Sequence, residues 1–308
     1  MLEAGDSGRR RGKRMSKTAK KPVNRAYRFT GYALSLVIIC VLGLTYSKAH
    51  QAMSNYALLK AIGKHDLTAV TDALRRGANP NTIEEHLRDE NDPPEQFGVR
   101  EILKQLTNKA PQGNQWTGLM LAGRDGDTNV VKALLDAKAA VNLRNENGST
   151  ALTLAAYWGY TDVVRLLLLH DADVNIASNN ADTPLLSASQ KGYVEIVQLL
   201  LDKGAKVNVS DKDGYTPLSQ AVSGNHLEIV KLLLSKGAKT MAPVKDNTSP
   251  LCDAAEGGYS EIVKALIASG ADVNAVDGAG TTPIWVAHMY GHPDIEALLK
   301  KAGAKEEK

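Results

Sequence analysis

Phenylalanine is nearly absent from this sequence: there are two among 308 residues, and all aromatic types together make up 5%. That excludes a conventional core built around large rings and suits small helices packed closely together. Cysteine is as scarce, with Cys40 in an apolar run and Cys252 far downstream. One cysteine in the folded part allows no disulfide there, and the pair identifies no redox compartment. Catalytic signatures are missing as well. There is no H-E-x-x-H, no phosphate-cradling glycine loop and no G-x-S-x-G. Gly278-Ala279-Gly280 follows Val-Asp and not a buried strand, so it is a poor nucleotide site. The seven histidines (His50, His65, His86, His170, His226, His288 and His292) are scattered. No catalytic residue, metal site or cofactor is expected, and the chain reads as a non-enzyme.

The net charge of +3 conceals an asymmetry. Ten of the 37 basic groups, from Arg9 to Arg28, fall in residues 1–28 with two acids, Glu3 and Asp6. The remainder carries 27 basic groups against 32 acidic ones. The folded part is therefore mildly acidic, which argues against binding a phosphate backbone, so no nucleic-acid partner is expected.

Residues 30–46 read TGYALSLVIICVLGLTY, without a charge, between Arg28 and Lys48. A spanning helix needs roughly 17–25 apolar residues, so 30–47 is a transmembrane helix at the short end of that range. It is also long enough for the apolar region of a signal peptide, about 7–15 residues, with Ser47 and Ala49 as small residues for cleavage near Ala49. A buried core helix is the third reading. Met15 is an alternative start. Cys40 is a poor lipidation site because Ile38 and Ile39 precede it. Under either membrane reading the basic tail, 1–29, stays cytoplasmic and touches anionic lipid, and everything after about residue 48 crosses. The expected location is a single-pass membrane protein with its folded part outside the cytoplasm, in the periplasm if the host is bacterial. The alternative is a secreted or periplasmic protein.

The folded part repeats. Leu119, Leu152, Leu185, Leu218, Leu251 and Ile284 are spaced 33 residues apart throughout. Residues 183–208 read TPLLSASQKGYVEIVQLLLDKGAKVN, residues 216–241 TPLSQAVSGNHLEIVKLLLSKGAKTM, and residues 282–304 TPIWVAHMYGHPDIEALLKKAGA. Thr150, Thr183, Thr216 and Thr282 suit helix N-caps, the last three with proline at the first helical position. The first helix is too short to stand alone. Gly126, Gly159, Gly192, Gly258 and Gly291 supply a left-handed turn. A second helix carries an apolar stripe such as Ile196, Val197, Leu199 and Leu200. Glu195, Glu228 and Glu261 open these second helices in register, favoured by the helix dipole. Gly204, Gly237, Gly270 and Gly303 end them. A stretch such as Asn208 to Gly214 then reverses as an extended finger. No unit buries its own apolar faces, so the units must stack.

This pattern resembles the ankyrin repeat, strongly over 116–305 as six repeats, the last a cap, and weakly over 54–81 as a degenerate N-capping repeat. The resemblance implies an all-α solenoid of helix-turn-helix units with finger loops, preceded by the hydrophobic N-terminal helix. The histidine that often follows T-P-L is replaced by Met120, Thr153, Leu186, Ser219, Cys252 and Trp285, so its inter-repeat bonds are lost. Trp285 and Cys252 are expected to be buried there. Asn225 replaces a turn glycine, and Lys138 and Asp171 replace the terminal glycine in two units, which predicts weaker repeats over 117–175. His226 and His292 occupy turn positions and read as structural. Leu58 lies 61 residues before Leu119, 28 more than one period, which places an insertion at 82–115 with a short helix over 99–106.

Ankyrin stacks bind proteins through fingers and the exposed ends of first helices, which form a concave face. Mapped onto this chain, that face holds Trp116, Arg124, Asp125, Glu146, Asn147, Tyr157, Trp158, Gln190, Lys191, Lys212, Asp213, Tyr215, Met289 and Tyr290. Aromatic residues dominate binding hot spots, so a monomeric scaffold for another protein is expected. The competing reading is a secreted protein that inhibits or protects a partner enzyme. The charge asymmetry makes one direct prediction. A reporter enzyme active only outside the cytoplasm, fused after Lys308, is expected to be active, and activity only from a cytoplasmic reporter overturns the orientation.

Overall fold

The computed structural model describes residues 47–84, 116–241, 249–277 and 280–305. The apolar run over 30–46, the helix expected over 99–106 and Gly278-Ala279 lie outside them. Among the described residues no helix is long and apolar enough to cross a membrane. A leading hairpin pairs a helix over 47–63 with Leu67–Arg75. Six two-helix units follow. Their helices are Gly118–Asp125 with Thr128–Asp136, Ala151–Trp158 with Thr161–Leu169, Pro184–Lys191 with Val194–Asp202, Pro217–Ser223 with Leu227–Ser235, Pro250–Glu256 with Ser260–Ala268, and Pro283–Met289 with Pro293–Lys301. We number these units 1 to 6.

Each first helix begins the same way. Thr117, Thr150, Thr183, Thr216, Ser249 or Thr282 has an extended backbone, and its hydroxyl accepts the N–H three residues on at 3.1–3.4 Å. That satisfies one orphan donor at each helix start. The residue after the helix, or the next one, takes the left-handed conformation: Gly126, Gly159, Gly192, Asn225, Gly258 and Gly291. Asn225 does so at φ 55°, as its short polar side chain allows.

In units 2, 3, 4 and 6 the ring that opens the second helix, Tyr160, Tyr193, His226 or His292, lies over the previous unit's turn glycine. A Cβ on Gly126 would meet the Tyr160 ring at 2.5 Å, and one on Gly192 the His226 ring at 2.5 Å. His226 Nε2–H donates to the Gln190 carbonyl at 3.3 Å, and His292 Nε2–H to that of Glu256 at 3.1 Å. Both histidines are therefore structural. Tyr160, Tyr193 and Tyr259 hold the same slot in units 2, 3 and 5.

The core is one continuous cluster. Leu119, Leu152, Leu185, Leu218 and Leu251 from first helices meet Val130, Val163, Ile196, Ile229 and Ile262 from second helices, all fully buried. Cys252 is buried among them, whereas Trp285 is not: it is 39% exposed. Unit 6 has no described successor to cover that position, and an indole is too large to tuck beneath its own helix.

A second ladder runs beside the core. The Asn142 side chain accepts from Asp173 N–H at 2.9 Å and donates to Asp171 C=O at 3.3 Å. Asn175 does the same with Lys206 and Gly204, Asn208 with Lys239 and Gly237, and Asn274 with Lys305 and Gly303. Asn81 accepts from Ala140 N–H at 2.6 Å. Each amide ties one unit to the backbone of the next.

The stack also contains a strand pair that an all-helical expectation does not include. Ile83–Glu84 pairs antiparallel with Trp116–Thr117, Ile83 opposite Thr117 and Glu84 opposite Trp116. The chain thus leaves the leading hairpin and enters unit 1 at adjacent points.

Lys138 and Asp171 sit at φ 65° and 60°, where Gly204, Gly237 and Gly270 sit at 83°. A left-handed backbone costs a residue with a Cβ about 1–2 kcal/mol. Lys138→Gly and Asp171→Gly are each expected to stabilise the fold by about 0.5–1 kcal/mol, after the entropy cost of glycine. Denaturant melts measure this, and a loss of stability in both contradicts the strain.

Candidate functional site

The residues singled out as a binding face fall into local groups along the first-helix ends and fingers. Trp116 emerges from the strand pair. Its indole N–H donates to Glu146 Oε1 at 3.2 Å, across to the finger of unit 1. The Arg124 guanidinium lies 5.5 Å from its ring centroid and grips Asp125 with two bonds, at 2.7 and 3.1 Å. Trp116, Arg124 and Asp125 are half-buried, so this group is well ordered but only partly available.

Tyr157 and Trp158 form the second group, at the end of the unit 2 first helix. Their rings meet edge to face, with centroids 5.4 Å apart at 84°. Lys191 of unit 3 places its Nζ 4.5 Å from the Tyr157 centroid. Tyr157 is 40% exposed and Trp158 52%. Offset and edge-on ring pairs and cation–π contacts each contribute about 0.5–1.5 kcal/mol. The two rings are thus held in place while much of their surface faces water.

Gln190 shows its side chain to solvent while its carbonyl serves His226. Lys212 N–H donates to the Asn180 carbonyl at 3.0 Å, joining neighbouring fingers, and its side chain is exposed. Asp211 Oδ1 accepts from the N–H groups of Asp213 and Tyr215, both at 2.9 Å, which presents the exposed Tyr215 ring. Asn147 is exposed too, and its carbonyl accepts from Asn179 N–H. Met289 and Tyr290 are exposed in unit 6. The Tyr290 hydroxyl hydrogen-bonds to the Glu256 carboxylate, which pushes the phenol pKa up. Among the described residues no ring contact or hydrogen bond joins Tyr215 to the Tyr157–Trp158 pair, or Met289 to either.

The structure adds residues that the motif reading passed over. Arg144 fastens the unit 1 finger, with Nε–H to Gly148 C=O and Nη2–H to Ala177 C=O, both at 3.1 Å. Asp253 is more unusual. It stands two residues after the unit's leading leucine, where other units carry Leu121, Leu154, Ser187, Gln220 and Val286. Burial, and then the nearby Glu256 charge, push its carboxyl up to about 6. The signal was present as an acid at a register position that is otherwise uncharged. Among the described residues no three His, Cys, Asp or Glu side chains group as a metal site.

The model for ankyrin repeats (3 copies) matches residues 95–178, 168–244 and 239–308. This chain belongs to the ankyrin-repeat family. No curated protein matches it. Ankyrin repeats are generally binding scaffolds, and the fold suggests that role here. In this ankyrin stack two exposed rings packed against each other, Tyr157 and Trp158, sit at the end of a first helix.

Asp253 generates a pH prediction. Its folded pKa, about 6, lies above the ordinary 3.8, so the folded chain binds the proton more tightly. Its contribution to stability is greatest below pH 4 and is lost as pH rises through 6. Asp253→Asn is expected to remove that loss, leaving the variant about 2 kcal/mol more stable than wild type at pH 7 relative to pH 4. Parallel melts at both pH values read the difference, and identical pH profiles contradict it.

Proposed function

We propose that this ankyrin chain is a scaffold that binds another protein through the first-helix ends and fingers of units 1–4, displayed outside the cytoplasm by the apolar segment 30–47. The observation that carries the binding face is the Tyr157–Trp158 pair, held edge to face beneath Lys191 while half or nearly half exposed. Exposed, immobilised aromatic rings lose little entropy on binding and are the residues that interfaces concentrate on. Tyr215 extends the face toward unit 4, and Trp116 toward the leading hairpin.

Display outside the cytoplasm rests on the ten basic groups before the apolar run and on the rule that such charge stays inside. A released form is favoured only by the small residues Ser47 and Ala49. Sequencing the mature N-terminus separates the two: a start near His50 supports release, and retention of residues 1–48 in membranes supports anchoring.

The binding face is tested with the full chain in native membranes. Proteins captured by wild type are compared with those captured by Trp158→Ala and Tyr215→Ala. Both substitutions are expected to weaken binding at least tenfold, as loss of a central aromatic costs roughly 2–4 kcal/mol, with little change in melting temperature. Leu200→Ala, which opens a cavity in the core, is expected to damage the fold itself. If Trp158→Ala destabilises the protein as much as Leu200→Ala does, Trp158 is a packing residue and the reading fails.

A further inference from the structure

The leading hairpin and unit 6 are finished differently. The leading hairpin clamps itself. Gln51 Nε2–H donates to Gly77 C=O at 2.7 Å, and Asn55 Oδ1 accepts from Asn79 N–H at 2.8 Å. In unit 3 the equivalent groups, Gly204 C=O and Lys206 N–H, are held by Asn175 of the preceding unit. The hairpin thus fills from within the place that a preceding unit's amide takes elsewhere. Charge completes this side: Asp72, paired with Arg75, stands where units 2, 3 and 4 have Leu166, Leu199 and Leu232. It has no seat for another unit.

Unit 6 is finished on one helix only. Its second helix carries Glu296 where Val131, Val164, Val197, Val230 and Val263 are fully buried. Glu296 Oε1 lies 3.2 Å from His288 Nδ1. The next residue of the asparagine series is Glu307. A repeat stacked on unit 6 in register would bury the Glu296 carboxylate and receive no amide clamp, so another repeat does not fit there. The first helix is apolar all the same. Trp285, 39% exposed, holds the position at which Met120, Leu186 and Cys252 are buried. Met289, one turn on, is 60% exposed and holds that of Tyr157, which Lys191 of the next unit reaches. Both therefore lie on the side of the helix that the other units turn toward a neighbour.

We propose that this helix face is a self-association surface, on which the first helix of unit 6 of a second copy packs about a twofold axis, Trp285 and Met289 of each chain at the centre. The cover is chosen by continuity with the stack, where first helix packs on first helix from unit to unit. A second copy offers such a helix, with its apolar face open, in its own unit 6. Its leading hairpin, self-clamped and charged, does not complete the contact, which excludes head-to-tail growth and leaves a closed, isologous dimer. An apolar centre bordered by the His288–Glu296 pair is the anatomy of such a contact, and tryptophan is the residue on which its energy concentrates. The dimer stands in place of the monomer expected from the sequence and carries two copies of the Tyr157–Trp158 pair.

Sedimentation of the full chain in detergent over a range of concentrations tests this. Wild type is expected to reach a dimer and go no further. Trp285→Glu is expected to weaken the dimer at least tenfold with the melting temperature held, Trp285→Phe to retain it, and Trp158→Ala to leave it intact. In a Cys40→Ala chain, Met289→Cys is expected to give dimers with a thiol-to-thiol cross-linker, and Met53→Cys, on the leading hairpin, to give none. A wild type that stays monomeric overturns the proposal and leaves the face to another protein. Polymers that grow with concentration overturn it in favour of head-to-tail stacking. A dimer that survives Trp285→Glu, or one lost in Trp158→Ala, places the contact elsewhere and overturns it too. Loss of partner capture in Trp158→Ala with the dimer intact bears on the proposed binding face alone.

Discussion

Everything in this structure depends on the fact that a two-helix unit of about thirty residues is too small to bury its own apolar faces. First helices of seven or eight residues do not persist alone in water. Leu152 or Leu185 leaves water only when a neighbouring unit closes over it, so each unit supplies the solvent-excluding wall of the next. Burial of apolar area supplies the gross stabilisation. The threonine caps, the left-handed turns and the asparagine clamps supply its register. Removing a clamp would leave the wall in place and loosen only the coupling across it.

The same division explains what was legible in the sequence. The helix starts, the turns and the core stripe are decided within one unit, by residues such as Thr183, Gly192 and Leu200, and the period exposes them. Asn225 was readable as a turn residue for the same reason. Properties that depend on the next unit were less readable. Asn175 recurs visibly, but that its amide spans to Lys206 and Gly204 appears only when two units are stacked. Trp285 sits at a position buried in every other unit, and no described unit covers it. Asp253 is an ordinary acid in the sequence, and only burial beside Glu256 makes it a poor one. The apolar run before residue 47 is read from sequence alone.

The proposed binding face shows a related economy. Its rings are not borrowed from the core: Leu119, Leu152 and Leu185 carry the packing, while Tyr157 and Trp158 stand in the last turn of their helix, facing largely to water. Cation–π contacts and edge-on stacking fix them without enclosing them. The face also crosses a unit boundary, since Lys191 of unit 3 orders Tyr157 of unit 2. Coupling between units therefore orders the surface as well as the core.

The short strand pair of Ile83–Glu84 with Trp116–Thr117 has a consequence for how such a chain diversifies. It brings the two ends of a 31-residue excursion side by side, so the helical register on either side is indifferent to what lies between. Lengthening an excursion whose ends are already pinned is cheap, about 0.6 kcal/mol for each doubling. The site is a natural port: sequence is free to be added, trimmed or exchanged there across generations while the leading hairpin and unit 1 keep their seat, directly beside the Trp116 edge of the face.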